Sequence, residues 1–109
     1  MKLKTDLLNF ICTKRQVSFA QLQKRIPSFS GNQTIALEVD RNIILWSGVS
    51  AEIVKALQEL LEEKLIKVER TSHLIYFIDG IVPRLPLVKR LPSCGYKSQH
   101  WLPVVLNPN

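Results

Sequence analysis

The chain offers few side chains that could do chemistry. Cys12, His73, Cys94 and His100 are its only cysteines and histidines. No two of them stand at the short CxxC spacing that closes a zinc site, so no metal is expected. Cys94 lies in Pro92-Ser93-Cys94-Gly95, with His100 six residues on. A Cys–His nucleophile pair needs an acid to orient the imidazole, and residues 80–109 contain no Asp or Glu. His73 reads as a turn residue, and Cys12 as a thiol on the buried face of a first helix. No phosphate-binding glycine loop, dinucleotide fingerprint or HExxH is present. The sequence therefore predicts no catalytic residue, no cofactor and no enzyme.

The remaining chemistry is charge. The chain has 109 residues and a net charge of +6, which permits an acidic partner, nucleic acid first. Residues 1–28 carry Lys2, Lys4, Lys14, Arg15, Lys24 and Arg25 against Asp6 alone. Residues 29–79 hold five bases and eight acids, and residues 80–109 hold Arg84, Lys89, Arg90 and Lys97 with no acid. The basic charge thus sits at the two ends. Lys14-Arg15 and Lys24-Arg25 can be phosphate contacts on one side of a domain. Taken alone, each pair reads more simply as solvated charge at a helix C-terminus, where cations are favoured. Lys67 and Arg70 are the further basic candidates.

The elements that must position these residues are legible in outline. Asp6 or Thr5 can cap a first helix through about Thr13, with Leu7, Leu8, Phe10, Ile11 and Cys12 on its apolar side. Val17-Ser18-Phe19 is short and β-leaning. A second helix follows from Ala20 to Arg25 or Ile26, closed by Pro27. Residues 28–32 are a loop by composition. Ile35, Leu37 and Val39 alternate with polar or small residues, Asp40-Arg41-Asn42 is a turn, and Ile43-Ile44-Leu45-Trp46 is β-rich. This predicts a hairpin or irregular β-segment, although Ala36-Leu37-Glu38 would also suit a helix over residues 33–39.

The most strongly patterned stretch is Ser50 to Ile78. Ser50 is a good N-cap, and Glu52 suits the positive end of the helix dipole. Ile53, Val54, Leu57, Leu60, Leu61 and Leu65 recur at helical spacing. Leu57, Leu61 and Leu65 are expected to be buried against Leu8, Ile11, Leu22 and Tyr76 or Phe77. The alternation in Ile66-Lys67-Val68-Glu69 predicts a strand. Arg70 to His73 predicts a turn, and Leu74-Ile75-Tyr76-Phe77-Ile78 a second strand closed by Asp79-Gly80. Pro83, Pro86, Pro92, Pro103 and Pro108 exclude a useful helix from residues 81–109. That segment is nevertheless rich in Leu, Val, Ile and Trp. It is expected to be an extended arm packed on residues 1–80 or on a second copy, with Val104-Val105-Leu106 adding as an edge strand.

This order of helix, short strand, helix, helix, strand, strand resembles the winged helix-turn-helix superfamily. The resemblance is carried by Val17-Ser18-Phe19-Ala20-Gln21-Leu22, by Val49 to Leu57, and by Leu60-Leu61-Glu62-Glu63-Lys64-Leu65-Ile66-Lys67-Val68. It implies an α+β fold over residues 1–80: a three-helix core with a C-terminal β-hairpin wing. Two departures stand out. A β-segment of roughly 20 residues replaces the tight turn before the third helix. That helix also exposes Glu52, Glu59, Glu62 and Glu63 against Lys55 and Lys64, where a phosphate-facing helix presents bases or amides.

Two functions follow. The first is nucleic-acid binding, with duplex as the expected target, through backbone electrostatics at Lys14, Arg15, Lys24, Arg25, Lys67 and Arg70. The second is a protein-interaction module, a homodimer, using Trp46, Trp101 and Val104 as interface residues. No apolar run reaches the ~20 residues of a membrane span, and Asp6 and Asn9 spoil a signal peptide. No membrane association and a cytoplasmic location are therefore expected.

Overall fold

A computed structural model describes residues 2–89 and 95–109. Arg90, Pro92 and Cys94 lie outside the described residues.

The first helix, α1, spans Lys2–Lys14 and buries Leu7 and Ile11, one turn apart. Cys12 is exposed, not in the core. It follows Ile11 directly, and a helix rotates about 100° per residue, so only one of the two can face inward. Arg15 and Gln16 then adopt left-handed φ values of 58° and 50°. For L-residues this costs about 1–2 kcal/mol each. It turns the chain sharply into β1, Val17–Ser18, and then α2, Phe19–Arg25. Ser18 caps α2 in a reciprocal box: its Oγ accepts from Gln21 N–H (3.1 Å), and Gln21 Oε1 accepts from Ser18 N–H (3.3 Å). Ile26 is extended, as a residue before proline must be.

The segment between α2 and the third helix is a hairpin of β2, Ser30–Ala36, and β3, Ile43–Val49. Of the two sequence readings for residues 33–39, strand prevails over 33–36; Leu37 and Val39 lie beyond its end, and Ser30 to Asn32, expected in a loop, open the strand. Asp40 fixes the turn by accepting from Asn42 N–H (3.0 Å). The start of β2 crosses closely over the next helix cap. A Cβ on Gly31 would lie 2.4 Å from Ser50 Cα, so only glycine fits there.

Helix α3, Ala51–Glu62, begins at the Ser50 cap and buries Ile53, Ala56, Leu57 and Leu60. Leu61 and Leu65 are not buried as expected; they are 39% and 41% exposed. The helix ends before Leu65 can join its stripe. Lys64 is left-handed at φ 59°, its N–H bonds Leu61 O, and Leu65 N–H bonds Leu60 O. This is a Schellman stop built on lysine instead of glycine.

The largest departure follows β4, Ile66–Arg70. Leu74–Asp79 is a helix, α4, and not the second strand of a wing hairpin. The place beside β4 is taken by β6, Val104–Pro108, which pairs antiparallel with it from Ile66↔Pro108 to Arg70↔Val104. β6 also pairs antiparallel with β1, so one sheet runs β1-β6-β4 with the C-terminal strand in its middle, not at an edge. The β-rich run at 74–78 has no strand to join there. It coils instead, with Gly80 in the left-handed conformation at its C-cap. Tertiary pairing has overridden local β-propensity.

The second sheet runs β2-β3-β5, with β5, His100–Trp101, parallel to β3. Residues 101–107 are all buried. Phe19, Trp46, Tyr76 and Trp101 pack as one aromatic cluster with ring centroids 4.9–6.4 Å apart. The Tyr76 hydroxyl donates to Val104 O (2.6 Å) and accepts from Phe19 N–H (3.1 Å), tying α4 to both β6 and α2. Burial pushes the pKa of that hydroxyl above the ordinary tyrosine value. The molecule is thus an α+β fold of four helices and two three-stranded sheets among the described residues. None of its described helices is long and apolar enough to cross a membrane.

Candidate nucleic-acid interface

The C-terminal ends of α1 and α2 flank an open groove of about 460 Å³. Its walls are Phe10, Thr13 and Lys14 from α1 and Gln21, Lys24 and Arg25 from α2. Each cation sits in the last turn of its helix, where the carbonyl end of the dipole favours it. Among the described residues no carboxylate lines the groove. The Arg25 guanidinium lies 5.7 Å from the centroid of the Phe10 ring, within cation–π range. Lys24 Nζ donates to the backbone carbonyl of Asp79 at the end of α4. The Asp79 carboxylate is turned instead to Ser18, whose Oγ donates to it at 2.6 Å. One residue thus holds both Lys24 and the cap of α2.

The six basic candidates divide three ways. Lys14, Lys24 and Arg25 meet in this groove. Arg15 and Lys67 meet in a separate depression of about 270 Å³ with Gln16, Glu69, Asn107 and Pro108. The left-handed turn at Arg15 and Gln16 is what sends adjacent Lys14 and Arg15 to different sites. Glu69 sits 3.8 Å from Lys67 Nζ and accepts from Asn107 Nδ2 (2.8 Å), so the second depression is partly neutralised. Arg70 stands at the other end of β4 and gives an N–H to Val88 O (3.3 Å).

The three residues expected at an interface are in the core. Trp46, Trp101 and Val104 are 3%, 1% and 2% exposed. Trp46 Nε1 donates to Gln23 Oε1 (3.1 Å), and Trp101 Nε1 has no partner among the described residues. The C-terminal segment that carries Trp101 and Val104 folds back into the chain's own sheets, which is why they offer no outer face.

The outer side of α3 is occupied or acidic. Lys4 of α1 bonds Glu63 and lies 3.5 Å from Glu59. The Glu63 hydrogen bond pushes the Lys4 pKa above its ordinary value. Glu52 and Glu62 remain exposed on that helix.

Sequence reasoning named the cations but missed Phe10, Thr13 and Gln21. The signal was available: Phe10 precedes Lys14 by four residues and Gln21 precedes Arg25 by four, so each pair shares a helix face. The potential ligand residues Cys12, His73 and His100 stay on separate elements. The His100 ring stacks on Tyr96 at 3.8 Å, and His73 meets the Phe77 ring edge-on at 5.6 Å. No three His, Cys, Asp or Glu residues converge on a metal-sized site among the described residues.

No protein-family model matches the chain, and neither a curated protein nor a solved structure is significantly similar to it.

Proposed function

We propose that the chain is a small winged-helix-type protein that binds nucleic acid through backbone phosphates, at the groove between α1 and α2. The observation that carries this reading is the convergence of Lys14, Lys24 and Arg25 on one groove without a lining carboxylate. Arg15 and Lys67 add a weaker phosphate contact beside Glu69. The winged-helix part is supported by strand order. The short strand after α1 and the strand after α3 flank a third in an antiparallel sheet, although α4 stands in place of the second wing strand. The binding mode departs from that superfamily's usual one, because the exposed acids of α3 repel phosphate.

The test is anisotropy of labelled random-sequence DNA, single- and double-stranded, across a salt series. Three neutralised phosphates give a duplex salt slope of about −2 to −3. Lys24→Glu with Arg25→Glu should abolish most binding at low salt and flatten the slope, whereas Glu62→Lys should strengthen binding. Absence of binding to both DNA forms at low salt would refute the proposal.

A second reading, a protein-interaction module, is favoured by one observation. An apolar groove of about 290 Å³ lies between the hairpin, α3 and β4, and the half-exposed Leu61 and Val68 line it. Sedimentation equilibrium distinguishes this reading: a homodimer that Leu61→Glu dissociates would favour it.

A further inference from the structure

Helix α4 carries the most exposed apolar ridge adjoining the basic groove. Leu74, Phe77 and Ile78 are 59%, 58% and 85% exposed. They occupy positions i, i+3 and i+4, so they share one side of the helix, while Tyr76 alone is buried. The ridge does not stand apart from the cations. Lys24, which walls the groove, reaches across to the Asp79 carbonyl at the C-terminus of α4. Phe77 lies two residues before that carbonyl, on the helix that the groove's lysine touches.

The groove itself has an aromatic wall. Phe10 is half-buried, and the planar Arg25 guanidinium lies near its ring. Cations beside aromatic rings, here one half-buried and one exposed, meet the two requirements of single-strand recognition: charge follows the phosphates and rings stack with unpaired bases. A duplex can use only the first. Its bases are already stacked, and its rigid backbone would leave Phe10 idle and press Phe77 and Ile78 against phosphate.

We infer that the strand held at this site is single-stranded nucleic acid, with bases stacked on Phe10 and Phe77 and phosphates on Lys14, Lys24 and Arg25. This rests on the nucleic-acid reading above and reverses its simplest expectation of a duplex target.

The experiment compares a fluorescein-labelled 12-nucleotide oligo-dT with a 12-base-pair duplex, using the full chain and its Phe77→Ala and Phe10→Leu variants. Phe77 is largely exposed, so its truncation leaves the fold intact, which circular dichroism checks. The single strand should bind at least about tenfold more tightly than the duplex. Phe77→Ala should weaken single-strand binding about 5- to 100-fold, the range for loss of one base stack, with the salt slope unchanged and duplex binding no weaker. Phe10→Leu should act in the same direction. Equal or tighter duplex binding, or single-strand affinity indifferent to Phe77→Ala, overturns the inference while leaving phosphate binding in place. Failure of both oligonucleotides to bind at low salt refutes the parent reading and the inference together.

Discussion

Replacing Tyr76 by Phe tests the part of the fold that departs furthest from the local sequence signal. The ring should keep its place, because its contacts with Trp46 and Trp101 at 5.3 and 4.9 Å involve no hydroxyl. What goes is one oxygen with two jobs: donor to Val104 O at 2.6 Å and acceptor from Phe19 N–H at 3.1 Å. A typical hydrogen bond contributes about 1 kcal/mol net, and a buried partner left unpaired costs about 1–3 kcal/mol. Two such losses, softened by local relaxation, amount to about 2–4 kcal/mol. For a domain near 100 residues, each kcal/mol moves the melting temperature by at least about 4 °C. A drop of at least about 8–16 °C is therefore expected by calorimetry, with urea unfolding giving the same free-energy loss at an unchanged m-value. A Tyr76→Phe protein within about 0.5 kcal/mol of the parent would mean that α4 does not pin β6 to α2, and the assignment of residues 74–79 would have to be redrawn.

Other outcomes follow from the same packing. The folded-state pKa of Tyr76 is raised, so its contribution is complete below the unfolded tyrosine value near 10 and is lost as pH rises beyond it; alkaline stability curves should bend there, and less so in Tyr76→Phe. Leu60→Ala should cost about 2–5 kcal/mol in urea unfolding because Leu60 is fully buried, whereas Leu61→Ala should cost nearer 1 kcal/mol; equal costs would mean the buried face of α3 is misplaced. Gly31→Ala should destabilise by about 1–3 kcal/mol, since its Cβ would meet only backbone atoms of Val49 and Ser50; a neutral result would separate β2 from that cap.

Local signals located what local physics decides. The Ser50 cap was legible because a hydroxyl before an apolar-periodic run satisfies free N–H groups of the first turn. The hairpin around Asp40–Asn42 was legible because two β-rich runs flank a polar turn. Leu74–Ile78 was not, since its composition favours a strand and only the distant Val104–Pro108 takes that strand's place. Leu61 and Leu65 were misplaced for a related reason. Their spacing continues the apolar stripe, and the stop that cuts it short uses a left-handed Lys64, with no glycine to announce it. At the site, the cations were visible as charge. Their division into two depressions depends on positive φ at Arg15 and Gln16, which no residue type there signals.

The topology explains why the open cationic surface lies on α1 and α2. With β6 between β1 and β4, the chain must leave the first sheet after Arg70 and return to it at Val104. That excursion brings α4 against α2, where Asp79 engages Ser18 through its carboxylate and Lys24 through its carbonyl. Meanwhile the inserted hairpin lies along α3, and Lys4 ties α1 to the acids at its end. The helix that would enter a groove of DNA is thereby flanked and negatively charged. The α1–α2 groove is held open by a cap, a lysine and the end of α4, all meeting at Asp79. Groove geometry and the apolar ridge are consequently one mechanical unit. On the proposed reading, a change that shifts α4 should alter nucleic-acid binding even where no charge is touched.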